Sequence, residues 1–132
     1  PAYVTGIGDI IEPISFSMQG LYFVLVKPNI FVSTQNAYSL VVPKPSQCKL
    51  TTMINYPIQQ WKGNIKNDFE ISVFELFPEI AKIKDIFYEN DAIYASMSGS
   101  GSSVFGLFKH PIDLSDKFNG MYVFQEVLGS VN

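Results

Sequence analysis

Ala92-Ile93-Tyr94-Ala95-Ser96-Met97-Ser98-Gly99-Ser100-Gly101-Ser102-Ser103-Val104-Phe105-Gly106-Leu107-Phe108 contains two short apolar runs separated by glycine and serine. Ala92 to Ser96 and Val104 to Phe108 are strand-like and close enough in sequence to pair as a hairpin. Glycine reaches positive φ at little cost and serine suits turns, so a plain hairpin loop accounts for the composition between them. The same small residues would also let the backbone come close to an anion, with N–H groups and hydroxyls pointing at it. The P-loop lysine is missing, and the spacing matches neither the Walker nor the Rossmann pattern.

Upstream of this stretch, Val73, Leu76, Phe77, Ile80, Ile83 and Phe87 recur every three or four residues, the spacing of one helical face. Asn67 with Glu70 three residues on resembles a capping box, and Pro78 is expected to divide the segment into two helices ending near Glu89-Asn90. Leu21 to Val26 reads as a central strand buried on both faces and closed by the turn Lys27-Pro28-Asn29. Ser33 is placed to cap a short helix starting Thr34-Gln35-Asn36-Ala37-Tyr38, which Pro43-Lys44-Pro45 should stop. Residues 43–67 are proline-rich and polar and predict irregular structure, with one loose helical turn between Thr51 and Gln60. Downstream, Leu114 to Phe118 predicts a short polar helix, and Asn119-Gly120 turns the chain into a last strand, Tyr122 to Val127. The order strand, helix, helices, strand, strand, helix, strand is that of an α+β fold, a ferredoxin-like α/β sandwich with the split βαβ arrangement.

The 132 residues suffice for one hydrophobic core, and 47% are apolar against 16% charged, so the chain is expected to fold as one domain. Eleven phenylalanines and seven tyrosines exceed what one small core needs, which suggests apolar surface covered by something else. A net charge of −3, with nine unclustered lysines and arginines, argues against a nucleic acid polymer as partner. The longest apolar run, Leu21 to Val26, falls far below the roughly 18 to 20 residues needed to cross a bilayer, so no membrane partner and a cytoplasmic location are expected. Cys48 and His110 are single residues of their kind, with no metal set and no paired base for a nucleophile. The opening Pro1-Ala2-Tyr3-Val4-Thr5 is already strand-like, and the expectation is that the chain begins inside a larger protein.

Ser98-Gly99-Ser100-Gly101-Ser102-Ser103-Val104-Phe105 resembles the third glycine-rich motif of the superfamily of small-molecule kinases that includes the galactokinases, homoserine kinases and mevalonate kinases. Ala2-Tyr3-Val4-Thr5-Gly6-Ile7-Gly8-Asp9-Ile10-Ile11-Glu12 is similar to the segment by which one of its families, the diphosphocytidyl-methylerythritol kinases, leaves its N-terminal domain. Val26-Lys27-Pro28 followed by Val32-Ser33-Thr34-Gln35-Asn36-Ala37-Tyr38 is like that family's strand, proline turn and capped helix, although many members have His-Pro where this chain has Lys27-Pro28. The three matches occur in the family's order and cover most of the chain.

The resemblance implies a C-terminal domain over residues 16–132, with residues 1–15 as a lead-in from a missing N-terminal kinase domain. It implies an ATP-dependent kinase, using Mg, that phosphorylates a small-molecule substrate, a cytidine diphosphate-linked methylerythritol, in isoprenoid biosynthesis. Gly99, Ser100, Gly101, Ser102 and Ser103 would lie beside the nucleotide phosphates, and Thr34, Gln35 and Tyr38 beside the substrate. Stacking on cytosine and core packing both suit Tyr38; Trp61 is expected to cover the core. The catalytic lysine and aspartate and the nucleotide-cradling loop belong to the other domain in this family, so no catalytic residue is expected here and the isolated chain is expected to be inactive. A bulky residue at Gly101 is expected to reduce activity more than folding. Two alternatives stay open: a regulatory ferredoxin-like module binding a small ligand, and a kinase of homoserine or mevalonate type.

Overall fold

The computed structural model describes residues 1–42, 44 and 49–129. Six strands and four helices are present among them: β1 Ala2–Thr5, β2 Ile10–Pro13, β3 Tyr22–Lys27, α1 Thr34–Tyr38, α2 Leu50–Met53, α3 Phe69–Leu76, α4 Pro78–Glu89, β4 Tyr94–Met97, β5 Val104–Phe108 and β6 Tyr122–Val127. β3 to β6 form one antiparallel sheet in the order β4-β5-β3-β6, with Val26 opposite Val104, Val26 opposite Val123, and Met97 opposite Val104. This is the strand order of the split βαβ sandwich, in which the hairpin partner β5 lies between the strands joined by the helical crossover.

Alternation along the strands divides the sheet into two faces. Val24, Val26, Ala95, Met97, Val104 and Phe108 pack with Val73, Ile80, Ile83 and Phe87 of α3 and α4. On the other face Phe23, Tyr94, Phe105 and Leu107 meet a layer made by Phe16, Met18, Ile54, Ile58, Trp61 and Ile65. Trp61, 5% exposed, stands edge-on to Tyr94 with ring centres 5.4 Å apart and donates from Nε1 to the Tyr56 carbonyl at 3.2 Å. It covers the core, as its position in the irregular stretch predicts. Ring contact with Phe105 is close enough on β3 to stack Phe23 at 5.8 Å.

α4 begins as expected with Pro78 in its first turn, and Phe77, at φ −134° and ψ 73°, breaks the helical path before it. Ile80, Ile83 and Phe87 are buried at spacings of three and four, and Asn90 closes the helix by donating from Nδ2 to the Ile86 carbonyl at 2.8 Å. Gly106 lies where α4 crosses β5: a Cβ there would be 3.0 Å from the Phe87 ring, so the close approach of helix and sheet requires glycine.

Several expectations need correction. Asn67 and Glu70 make no capping box; α3 starts at Phe69, and the Glu70 carboxylate turns to the sheet. The short helix at residues 114–118 is a single 3₁₀ turn, Ser115–Lys117, too few residues to establish i to i+4 bonds. α1 ends at Tyr38, where the Ser39 hydroxyl donates back to the Asn36 carbonyl at 2.8 Å; Pro43 and Pro45, and likewise Cys48, lie outside the described residues. β3 is fully buried only toward the helices; Tyr22, Phe23 and Leu25 are half-buried. The loose turn in the irregular stretch is split into α2 and a 3₁₀ turn, Ile58–Gln60, on either side of Tyr56-Pro57. β1 and β2 form a separate two-stranded sheet, Ala2 opposite Pro13 and Thr5 opposite Ile10, and no residue of β2 is buried. Among the described residues no helix is long and apolar enough to cross a membrane.

Candidate functional site

The glycine-serine stretch is the loop of the β4–β5 hairpin. It is closed by the Ser98 amide donating to the Ser103 carbonyl at 2.8 Å and turned by the Gly101 amide donating to the Ser98 carbonyl at 3.1 Å. Gly99 and Gly101 have φ of +56° and +94°, backbone that residues with a Cβ rarely adopt. Their surroundings differ. A Cβ on Gly99 would meet nothing within 4 Å, whereas one on Gly101 would lie 3.0 Å from Met97 Sδ and 3.7 Å from both Val32 and Val73. The outer turn at Gly99 is open, and the inner one is packed on the core. Ser102 is buried, Ser100 and Ser103 are half-buried, and the stretch Ser96 to Phe108 has no charged side chain.

Asn67, just before α3, and Glu70, in its first turn, hold this loop, and their sequence spacing marks them only as a helix cap. Asn67 donates from Nδ2 to the Met97 carbonyl at 2.8 Å and to the Gly99 carbonyl at 2.7 Å, while its Oδ1 accepts from the Phe69 amide at 3.0 Å. Glu70 Oε1 accepts from the Met97 amide at 2.8 Å and from the Ser96 hydroxyl at 3.2 Å. Its Oε2 pairs with Lys84 Nζ of α4 at 2.6 Å. The one signal in the sequence was the pairing of Asn67 and Glu70 three residues apart, which local capping explained equally well.

Beside the loop runs a groove of about 470 Å³ lined by Lys27, Pro28, Asn29, Ile30, Phe31, Val32, Gly101 and Ser102. The proline turn after β3 and the inner half of the loop therefore share one wall. α1 leads away from this groove, capped by Ser33 Oγ accepting from the Asn36 amide at 3.1 Å. Thr34, Gln35 and Tyr38 are exposed on it and do not line the groove. Tyr38, 60% exposed, is no core aromatic; its ring stands edge-on to Phe69 at 4.8 Å. The segment after α1 is fixed by the Leu40 amide donating to the buried Ser72 hydroxyl at 3.0 Å. Both predicted sets of site residues thus connect to the start of α3, the loop through Asn67 and α1 through Phe69.

Two phenols brace β4, the strand that leads into the loop, one from each face of the sheet. Burial pushes the Tyr94 hydroxyl up to about 12, with the Glu70 charge adding to the effect, and it donates to the Ile65 carbonyl at 3.2 Å. Burial also raises Tyr88, whose hydroxyl accepts from the Ala95 amide at 3.1 Å and donates to the Ala95 carbonyl at 3.2 Å. Both groups stay protonated near neutral pH and can donate. Among the described residues no group of three or more His, Cys, Asp or Glu side chains is placed to hold a metal ion.

Over 117 residues the chain is 47% identical to a 4-diphosphocytidyl-2-C-methyl-D-erythritol kinase of Parabacteroides distasonis, covering 89% of this chain and 43% of the relative. It is 44% identical over 129 residues to the kinase of the same name from Bacteroides fragilis, covering 97% of this chain and 47% of that one. The chain thus spans just under half the length of these relatives. The fold matches a crystal structure of 4-(cytidine 5'-diphospho)-2C-methyl-D-erythritol kinase with a TM-score of 0.70 at 22% identity, over 94% of this chain and 48% of the other. Residues 58–122, from the 3₁₀ turn before α3 to the start of β6, match the family described as GHMP kinases C terminal. Its loop, helices and strand order lie inside or beside that match, which spans just under half of the chain, and over those residues the chain is similar to the C-terminal domain of the GHMP kinases.

Proposed function

We propose that this chain is the substrate-side, C-terminal domain of an ATP-dependent kinase that phosphorylates 4-diphosphocytidyl-2-C-methyl-D-erythritol in isoprenoid biosynthesis. The observation that carries this reading is the 47% identity over 89% of the chain to a kinase of that name. In this reading residues 1–15 are the lead-in from an N-terminal kinase domain, a division supported by the separate β1–β2 sheet, and residues 16–132 are the C-terminal domain. Gly99 to Ser103 border the phosphates of ATP. The open space at Gly99 and the absence of charge from Ser96 to Phe108 suit the approach of an anion. Thr34, Gln35 and Tyr38 border the substrate, and the exposed Tyr38 ring offers a face to its cytosine.

Phosphoryl transfer depends on positioning and electrostatic stabilisation, and Mg bound with ATP would supply neutralisation of charge on the phosphates. This chain's residues contribute the positioning. It has no catalytic residue of its own in this reading, and the catalytic groups come from the N-terminal domain. The test is ATP- and Mg-dependent phosphorylation of the cytidine diphosphate-linked methylerythritol by the natural full-length protein, followed by ADP release, with homoserine as the competing substrate. Turnover of the former, none of the latter, and no turnover by the isolated 132-residue chain are the expected results. Turnover of homoserine alone, or activity in the isolated chain, would sink the reading.

A further inference from the structure

We propose that Asn67 and Glu70, both from the start of α3, are positioning residues that hold the Ser98–Ser103 loop in the shape that receives the phosphates of the nucleotide. The proposal rests on the functional reading above. Serine and glycine side chains are too short to impose one backbone path on the loop, and glycine multiplies the paths available. The shape must be imposed from outside. Met97, the last residue before the loop, is gripped on both sides of its Cα, its amide by Glu70 Oε1 at 2.8 Å and its carbonyl by Asn67 Nδ2 at 2.8 Å. The second proton of the same Asn67 amide group reaches into the loop, to the Gly99 carbonyl at 2.7 Å.

Neither side chain is free to turn away. Asn67 Oδ1 is committed to the Phe69 amide, so a flipped amide would bring oxygen against two carbonyl oxygens and nitrogen against an N–H. Glu70 is held at its other oxygen by Lys84 of α4, and its side chain is only 12% exposed, which strengthens the charge-assisted bond to Met97. Because Phe69 carries the Tyr38 ring at 4.8 Å, the same helix start also sets the distance between the loop and the proposed substrate residues of α1. The chemical demand at position 67 is for two donors beside one acceptor, and at position 70 for a carboxylate with one oxygen on the Met97 amide and the other on Lys84.

The test uses the natural full-length protein. Asn67→Asp removes both donors and puts negative charge before two carbonyl oxygens. Amide hydrogen exchange at Gly99 to Ser102 should then speed up about ten-fold or more, the scale of two lost hydrogen bonds, with KM for ATP rising by a similar factor. Exchange in α4 should stay unchanged. Glu70→Gln keeps an acceptor for the Met97 amide but turns its NH2 toward the Lys84 ammonium, so it should fall between wild type and Glu70→Ala in both readouts, whereas Glu70→Ala should behave like Asn67→Asp. Unchanged loop exchange in Asn67→Asp overturns the proposal, as does faster exchange with an unchanged KM. Should Asn67→Asp loosen α4 as well, Glu70→Ala against Glu70→Gln decides by the same two measurements. A wild type without turnover would refute the functional reading alone, and protection of the loop by added ATP then replaces KM as the second readout.

Discussion

The two glycines of the β4–β5 loop share a left-handed backbone and differ in everything around it. At Gly99 a methyl group points into open space, so Gly99→Ala costs only the backbone strain of a Cβ at φ +56°, about 1–2 kcal/mol. At Gly101 a larger side chain meets Met97, Val32 and Val73 as well, and Gly101→Val should lose about 2–5 kcal/mol from strain and overpacking together. Denaturant midpoints of the two variants check this, and equal losses would contradict it. A bulky residue at Gly101, expected from sequence to reduce activity more than folding, therefore also carries a packing cost. If the proposed nucleotide contact is made, Gly99→Ala should lower nucleotide affinity more than stability, since its Cβ meets nothing within 4 Å. Sequence could not rank the two, because what distinguishes them is contact with Met97, Val32 and Val73, which the chain makes only once it is folded.

The central elements were legible because their signals are local: the helical spacing of Ile80, Ile83 and Phe87, and the apolar run that became β3. α4 is anchored by the fully buried Phe87, edge-on to Phe108 at 5.9 Å and Phe118 at 5.6 Å. Phe87→Ala should destabilise the domain by about 3–5 kcal/mol, read from a chemical unfolding curve with unchanged slope. A loss below about 1 kcal/mol would mean that α4 is not held to the sheet at that point. The elements that were misread depend on distant partners. Glu70 stands where a capping residue would, but the amide of Met97 and the ammonium of Lys84 draw its carboxylate away. The 3₁₀ turn at Ser115–Lys117 sits where the split βαβ pattern suggests a helix. There Asp113 Oδ1 accepts from the Ser115 amide at 2.9 Å and from Gln125 Nε2 at 3.1 Å, and local side-chain bonds of this kind favour turns over helix.

For the whole molecule the main division is between the sandwich and the β1–β2 hairpin. Val4, Ile10 and Ile11 are more than half exposed and Ile7 almost wholly so, whereas Phe16 packs on Trp61 at 5.2 Å and belongs to the second core layer. Removing residues 1–13 should shift the melting temperature of the chain by less than about 4 °C, the equivalent of about 1 kcal/mol in a domain of this size. A larger drop in a thermal scan would show that the hairpin is part of the sandwich. The sheet order followed from the sequence of elements, whereas the separateness of residues 1–15 was expected only from the family resemblance, since the hairpin's apolar residues look in sequence like any other strand pair. The wall formed by Phe16, Trp61 and Tyr94 has a practical side: Trp61 is the sole tryptophan of the chain, enclosed against the sheet face opposite α3 and α4. Its fluorescence is a built-in probe of that layer, while helical circular dichroism follows the other, so one sample can report whether the two sides of the sheet melt together.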